Sequence, residues 1–69
     1  MGRYIYVQAM VNKRDTEDTL ADPLLSFRHT EVSAESEDTA YDAGHDWWVV
    51  NPLPDYAASV LNDYVIKVD

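Results

Sequence analysis

Apolar and polar positions alternate with period two in RYIYVQAMV, from Arg3 to Val11. β-Branched and aromatic residues dominate this stretch, so it is predicted to be a strand. One face would carry Ile5, Val7, Ala9 and Val11, the other Tyr4, Tyr6, Gln8 and Met10. The small aliphatic set is expected to face the core, leaving Tyr4 and Tyr6 half exposed opposite. A polar segment, Asn12 to Pro23, interrupts the alternation and ends on proline, as a loop does. It has room for a helical turn around Thr16 to Leu20. Alternation resumes in LLSFRHTEVSA, Leu24 to Ala34, with Phe27, His29 and Glu31 on one face and Arg28, Thr30, Val32 and Ala34 on the other. Neither face is wholly apolar, which suits an edge strand pairing antiparallel with the first.

The period changes to 3.6 in SEDTAYDAGHDWW, Ser36 to Trp48. Ser36 is a good N-cap, and Glu37 and Asp38 follow where the helix dipole favours negative charge. Ala40, Ala43, Gly44 and Trp47 then form a narrow stripe of small residues ending in one large one. Such a stripe lets a helix lie close against a sheet. Asp38, Asp42 and Asp46 fall elsewhere on the cylinder, as a solvated acidic ridge. Beyond the helix, Pro52 and Pro54 bracket a turn, and Asp55 is placed to cap a short helix, Tyr56 to Val60. DYVIKV, Asp63 to Val68, reads as the last strand.

The elements assemble as a single α+β domain spanning residues 1–69, in the order β-β-α-β. A small three-stranded sheet, antiparallel or mixed, carries one main helix on one face, with a short second helix expected before the last strand. One helix cannot cover both sides of a sheet. The uncovered face is expected to carry Tyr4 and Tyr6 and to stay open or meet a partner.

Composition narrows the function. The chain has 69 residues and no cysteine, which excludes disulfides, zinc ribbons and thiol chemistry. A domain this small has a thin stability margin, and tight aromatic packing or a second subunit must supply what disulfides cannot. Thirteen acidic residues against five Lys and Arg give a formal net charge of −8. That field opposes nucleic acid and anionic membrane and favours basic protein surfaces; it also keeps a small domain soluble. The N-terminal segment has no apolar run of signal-peptide length, so a cytoplasmic location is expected.

Asp42 and His45, at i,i+3, could approach one metal ion together, with Asp46 beside them. A carboxylate metal site needs further ligands from other long helices, however, and only one is predicted. His29 and Glu31, at i,i+2 on a strand, could pair with each other across solvent or join a metal site. Asp15, Glu17 and Asp18 lack the central glycine and closing glutamate of a calcium loop. With two glycines, no cysteine and no Gly-x-Ser-x-Gly elbow, neither a phosphate-cradling loop nor a nucleophile is recognisable. No enzyme, cofactor or metal is expected from the residues, and a metal-dependent enzyme is the last-ranked reading. Trp47 and Trp48 point about 100° apart on a helix, so one is expected in the core and the other at its rim. The rim tryptophan either folds over the NPLP turn or anchors a partner.

The junction TEVSAESEDTAYDAG resembles, in its size, acidity and single helix on a small sheet, the small acidic inhibitors of bacteriophages and mobile elements, of the anti-CRISPR and DNA-mimic kind. The resemblance implies an inhibitor that occupies a basic, nucleic-acid-binding surface of a host protein complex, with no functional residue carried over. The residues themselves nominate Glu35, Glu37, Asp38, Asp42 and Asp46 as carboxylates for that partner, and Tyr41, Trp48, Tyr4 and Tyr6 as aromatic contacts. The alternative expectation is a homo-oligomeric accessory protein, a homodimer burying Tyr4, Tyr6 and Phe27 between its open sheet faces.

Overall fold

A computed structural model describes residues 2–13 and 25–69. The loop readings at Thr16 to Leu20 and at Asp15, Glu17 and Asp18 lie outside the described residues. The described elements are β1 (Gly2–Asn12), β2 (Leu25–Ala34), α1 (Glu37–Val50) and β3 (Ala57–Lys67), and the strand order is β2-β1-β3. Both outer strands pair antiparallel with β1, as in Tyr4↔Val32 and Gln8↔Arg28 on one side and Tyr6↔Val65 and Gln8↔Asp63 on the other. β2 and β3 are therefore parallel to each other across β1, and α1 is the crossover such an arrangement requires. This is the expected α+β architecture, with β2 at an edge.

α1 forms where its caps dictate. Ser36, in extended conformation, accepts at its side chain from the Thr39 backbone N–H, and Thr39 Oγ1 accepts from the Ser36 N–H at 3.0 Å. The reciprocal pair satisfies two donors that a helix start would otherwise strand, a stabilisation of about 1 kcal/mol. At the other end Asn51 closes on the Trp47 and Trp48 carbonyls before Pro52 ends the helix.

The sheet turns toward α1 the face not expected. Tyr4, Tyr6, Gln8 and Met10 are buried, and Tyr4 and Tyr6 form the core with Val32, Ala34 and Ala40. Tyr41, Ala43, Trp47 and Val65 pack around that cluster. Ile5, Val7, Ala9 and Val11 point to the uncovered side. The reason is volume. A stripe of Ala40, Ala43 and Gly44 lies low on its helix, and small aliphatics beneath it would leave a void, whereas tyrosine rings fill the space at native density. Tyr6 lies so close beneath Gly44 that a β-carbon there would come within 2.7 Å of Tyr6 Cδ2.

The short helix expected at Tyr56 to Val60 is absent. Asp55 and Tyr56 form a turn, and β3 begins at Ala57. Residues 57–60 pair with Met10–Asn12, whose backbone groups a five-residue helix would leave without partners. Register shifts at Ala9/Met10 and Val11/Asn12 leave Leu61 and Ala58 as the extra residues of two bulges.

Candidate functional site

Between α1 and the sheet runs a line of polar side chains that crosses every strand. Gln8, fully buried on β1, lies opposite Arg28 of β2 and Asp63 of β3. Arg28 Nε donates to Gln8 Oε1 at 2.7 Å, Gln8 Nε2 donates to the Tyr6 hydroxyl at 3.1 Å, and Tyr6 donates to Asp63 Oδ2 at 2.7 Å. The same carboxylate oxygen accepts from His45 Nε2 of α1 at 2.9 Å. At the far end Arg28 Nη1 donates to the Pro52 carbonyl at 3.2 Å, and the guanidinium stacks 4.5 Å over the Trp47 ring. Its Nη2 is buried without a partner. The chain ties α1 and the segment after it to all three strands; its centre, from Arg28 through Gln8 and Tyr6 to Asp63, is buried or part-buried, where such bonds are strengthened, and its His45 and Pro52 ends are exposed.

Two ionisations follow from this wiring. Burial, then the hydrogen bond to Asp63, pushes the Tyr6 phenol up to about 12 from an ordinary 10.0, against smaller opposing effects of Gln8 and Arg28. Burial acts to raise the Asp63 carboxyl, but hydrogen bonds from Tyr6 and His45 outweigh it and hold the group below its ordinary 3.8. A raised Tyr6 stabilises the fold fully below pH 10 and loses that contribution as pH climbs through about 12. A depressed Asp63 stabilises above pH 3.8 and loses its contribution as pH falls through the lower folded value. Urea midpoints should therefore hold level across neutral pH and fall at both ends. The Tyr6→Phe variant should lose the part of the alkaline slope that Tyr6 supplies, about 2 kcal/mol between pH 10 and 12 in the parent. An alkaline limb unchanged by Tyr6→Phe would show that the phenol is not so held.

The outward side of α1 is acidic. Glu35, Glu37, Asp38, Asp42 and Asp46 are all exposed, and among the described residues none of them makes an ion pair. Two of the described cations serve elsewhere: Arg28 in the network, and Arg3 on Asp69 at 3.1 Å and Glu31 at 4.0 Å. Asp38, Asp42 and Asp46 recur every four residues, about 6 Å apart along the helix axis. Beside this ridge is a groove of about 610 Å³ lined by His45, Trp48, Val49, Pro52 and Leu53.

The structure sets Glu37, Asp38, Asp42 and Asp46 along α1, with Glu35 just before it and Trp48 in its last turn, and separates them from two of the nominated aromatics. Tyr4 and Tyr6 are buried beneath α1, at 4% and 0% exposure, so they are core residues and present nothing to a partner. Tyr41 is half-buried, packed on the core with its ring 6.3 Å from that of His45. Trp47 turns inward, edge-on to Tyr6 at 6.2 Å, and Trp48 turns to the groove, so the tandem divides between core and rim. His45 reaches Asp63 rather than pairing with Asp42 and Asp46, and among the described residues no three metal-ligating side chains converge. Sequence reasoning missed Gln8, Arg28 and Asp63 as a unit. The one available signal was a polar residue in each strand, and strand register alone aligns them.

Comparison with protein-family models, with curated proteins and with solved structures gave no match. Among the described residues no helix is long and apolar enough to cross a membrane.

Proposed function

We propose that the chain is a non-catalytic acidic protein-binding module, an inhibitor or modulator that occupies a basic, nucleic-acid-binding surface of a protein complex, as in phage anti-defence. The observation that carries this reading is the row of carboxylates on α1 that make no ion pair among the described residues, on a helix whose C-terminal end lines an apolar groove. Such a row repels its own kind and attracts Arg and Lys at long range, while Trp48 and the Pro52–Leu53 segment offer the desolvated contact that electrostatics alone lacks. The ridge imitates the charge of a phosphate backbone; its 6 Å repeat matches the spacing only loosely, so the fit depends on the partner's geometry. Glu35, Glu37, Asp38, Asp42 and Asp46 supply charge, and Trp48 supplies the anchor, with the half-buried Tyr41 across His45 from it.

The test is capture from a lysate of the source cell, with and without competing duplex DNA and over a range of salt. The parent protein should retain a partner that DNA displaces and that salt weakens. Reversal of Asp38, Asp42 and Asp46 to Lys should weaken capture at least about tenfold and flatten the salt dependence, because rim charges act chiefly on association. Capture equally strong and equally salt-dependent after charge reversal would defeat the proposal.

A further inference from the structure

The side of the sheet away from α1 has nothing on it among the described residues, and its chemistry is unlike that of the helix side. Val7 and Ala9 form a floor on the central strand, at 9% and 7% exposure. Large apolar side chains of the two outer strands flank that floor: Phe27 at 61% exposure, opposite Ala9, and Tyr64 at 38%, opposite Val7, with Ile66 at 50% opposite Ile5. The polar side chains on this face include His29, opposite Val7, Asn62, opposite Ala9, and Glu31, which faces Arg3 of the same face at 4.0 Å. A contiguous apolar strip of this kind on a soluble domain marks an interface.

We propose that this face pairs with the same face of a second copy of the chain, giving a two-fold dimer in which two sheets pack back to back and the two helices lie outside.

Area and charge select that occupant. Strands of 10 or 11 residues, at about 3.3 Å per residue and about 4.8 Å apart, make a strip of about 500 Å². Two copies together cover about 1,000 Å² when the whole sheet face is engaged, the lower limit for a specific interface and the range of a weak dimer. Charge decides between a copy and a basic partner. A strip whose carboxylate is offset by Arg3 has little attraction for a cationic surface, which belongs on the α1 side. Two chains of net charge −8 repel wherever their ridges meet. Face-to-face sheets, about 10 Å apart, hold the two helices on opposite outer surfaces, several Debye lengths from each other. With Glu31 offset by Arg3, this face is the surface on which copies of so acidic a chain meet at low electrostatic cost, and isologous pairing needs only that the strip complement itself. This arrangement keeps the dimeric alternative read from the sequence but replaces its contacts: Phe27 stays, while Tyr4 and Tyr6 give way to Val7, Tyr64 and Ile66.

Sedimentation from about 1 μM to about 500 μM tests it, a range that brackets the affinities expected of an interface this size. The parent mass should rise from 7.9 kDa to twice that value. Phe27→Glu and Ile66→Glu, each at an exposed position, should keep the far-UV spectrum and raise the dimer dissociation constant at least about twentyfold. Val49→Glu, 80% exposed on the opposite side, should leave dimerisation unchanged. A parent that stays at 7.9 kDa throughout overturns the proposal. So does a dimer that survives both sheet substitutions, or one that Val49→Glu dissociates, which would move the contact to the groove.

Discussion

Replacement of Gly44 by alanine destabilises the protein by about 2 kcal/mol, although the same change at an open helical site would stabilise it. Alanine gains about 1 kcal/mol over glycine in a helix interior. Against this stands Tyr6, whose ring carbons Cγ and Cδ1 a β-carbon at position 44 would overlap. Those atoms are the near end of a ring at 0% exposure, held by its hydroxyl to Asp63 and by Gln8, so it cannot swing aside. Relief requires α1 to lift from the sheet, an overpacking cost of about 3 kcal/mol that exceeds the propensity gain. In thermal unfolding, the net loss corresponds to a drop of about 10 °C or more for a domain of this size. The pairing of Gly44→Ala with Tyr6→Leu should recover part of the loss, with a coupling energy of at least about 1 kcal/mol in the double-mutant cycle. If Gly44→Ala raised the melting temperature, the close approach of helix and ring would be wrong.

The same contact explains why the sheet was turned over in the sequence reading. The alternation in Arg3–Val11 identified a strand and its two faces, but both faces are apolar enough to bury, and hydrophobicity favours Ile5 and Val7 over Tyr4 and Tyr6. The deciding information lay elsewhere in the chain, in Ala40, Ala43 and Gly44. A helix stripe that small selects a bulky partner, so the pair of elements has to be read together. Local signals served well where the cause was local. Ser36 capped the helix as expected, with Thr39 completing the box, and the tryptophans divided because neighbours on a helix diverge by about 100°. They failed where the cause was remote. Nothing near Asp55 shows that Ala57–Val60 must satisfy the backbone of Met10–Asn12, and Asp55 beside two prolines imitates a helix start. The carboxylates of the candidate site were legible because exposed charge needs no partner within the fold. The groove was not, since it exists only after Pro52 and Leu53 fold back beside Trp48.

Replacement of Gln8 by leucine costs about 3 kcal/mol, more than a buried apolar substitution of similar volume would suggest. Gln8 Oε1 receives the 2.7 Å charge-assisted bond of Arg28, whose Nη2 is already buried without a partner. Leucine leaves the guanidinium with the longer bond to the Pro52 carbonyl and the face of Trp47, and a cation deprived of its main acceptor bears most of its desolvation cost. Tyr6 suffers less, because its own donor bond to Asp63 remains. Removal of both partners, as in Gln8→Leu with Arg28→Met, should return at least half of the loss, since an apolar pair has nothing left to satisfy. Urea unfolding of the parent, both single variants and the double variant measures this coupling, and additivity within about 0.5 kcal/mol would show that the two side chains do not depend on each other. The consequence extends to the candidate site. Arg28 is the tether between the sheet and the Pro52 carbonyl, and Pro52 and Leu53 form one wall of the groove beside Trp48. Amide exchange at Ala57, whose N–H donates to the Pro54 carbonyl at 2.9 Å, should therefore quicken in Gln8→Leu more than exchange at the N-terminal turn of α1, where the Ser36 cap is independent of the network. A core glutamine thus sets the shape of the surface on which the proposed anchor stands.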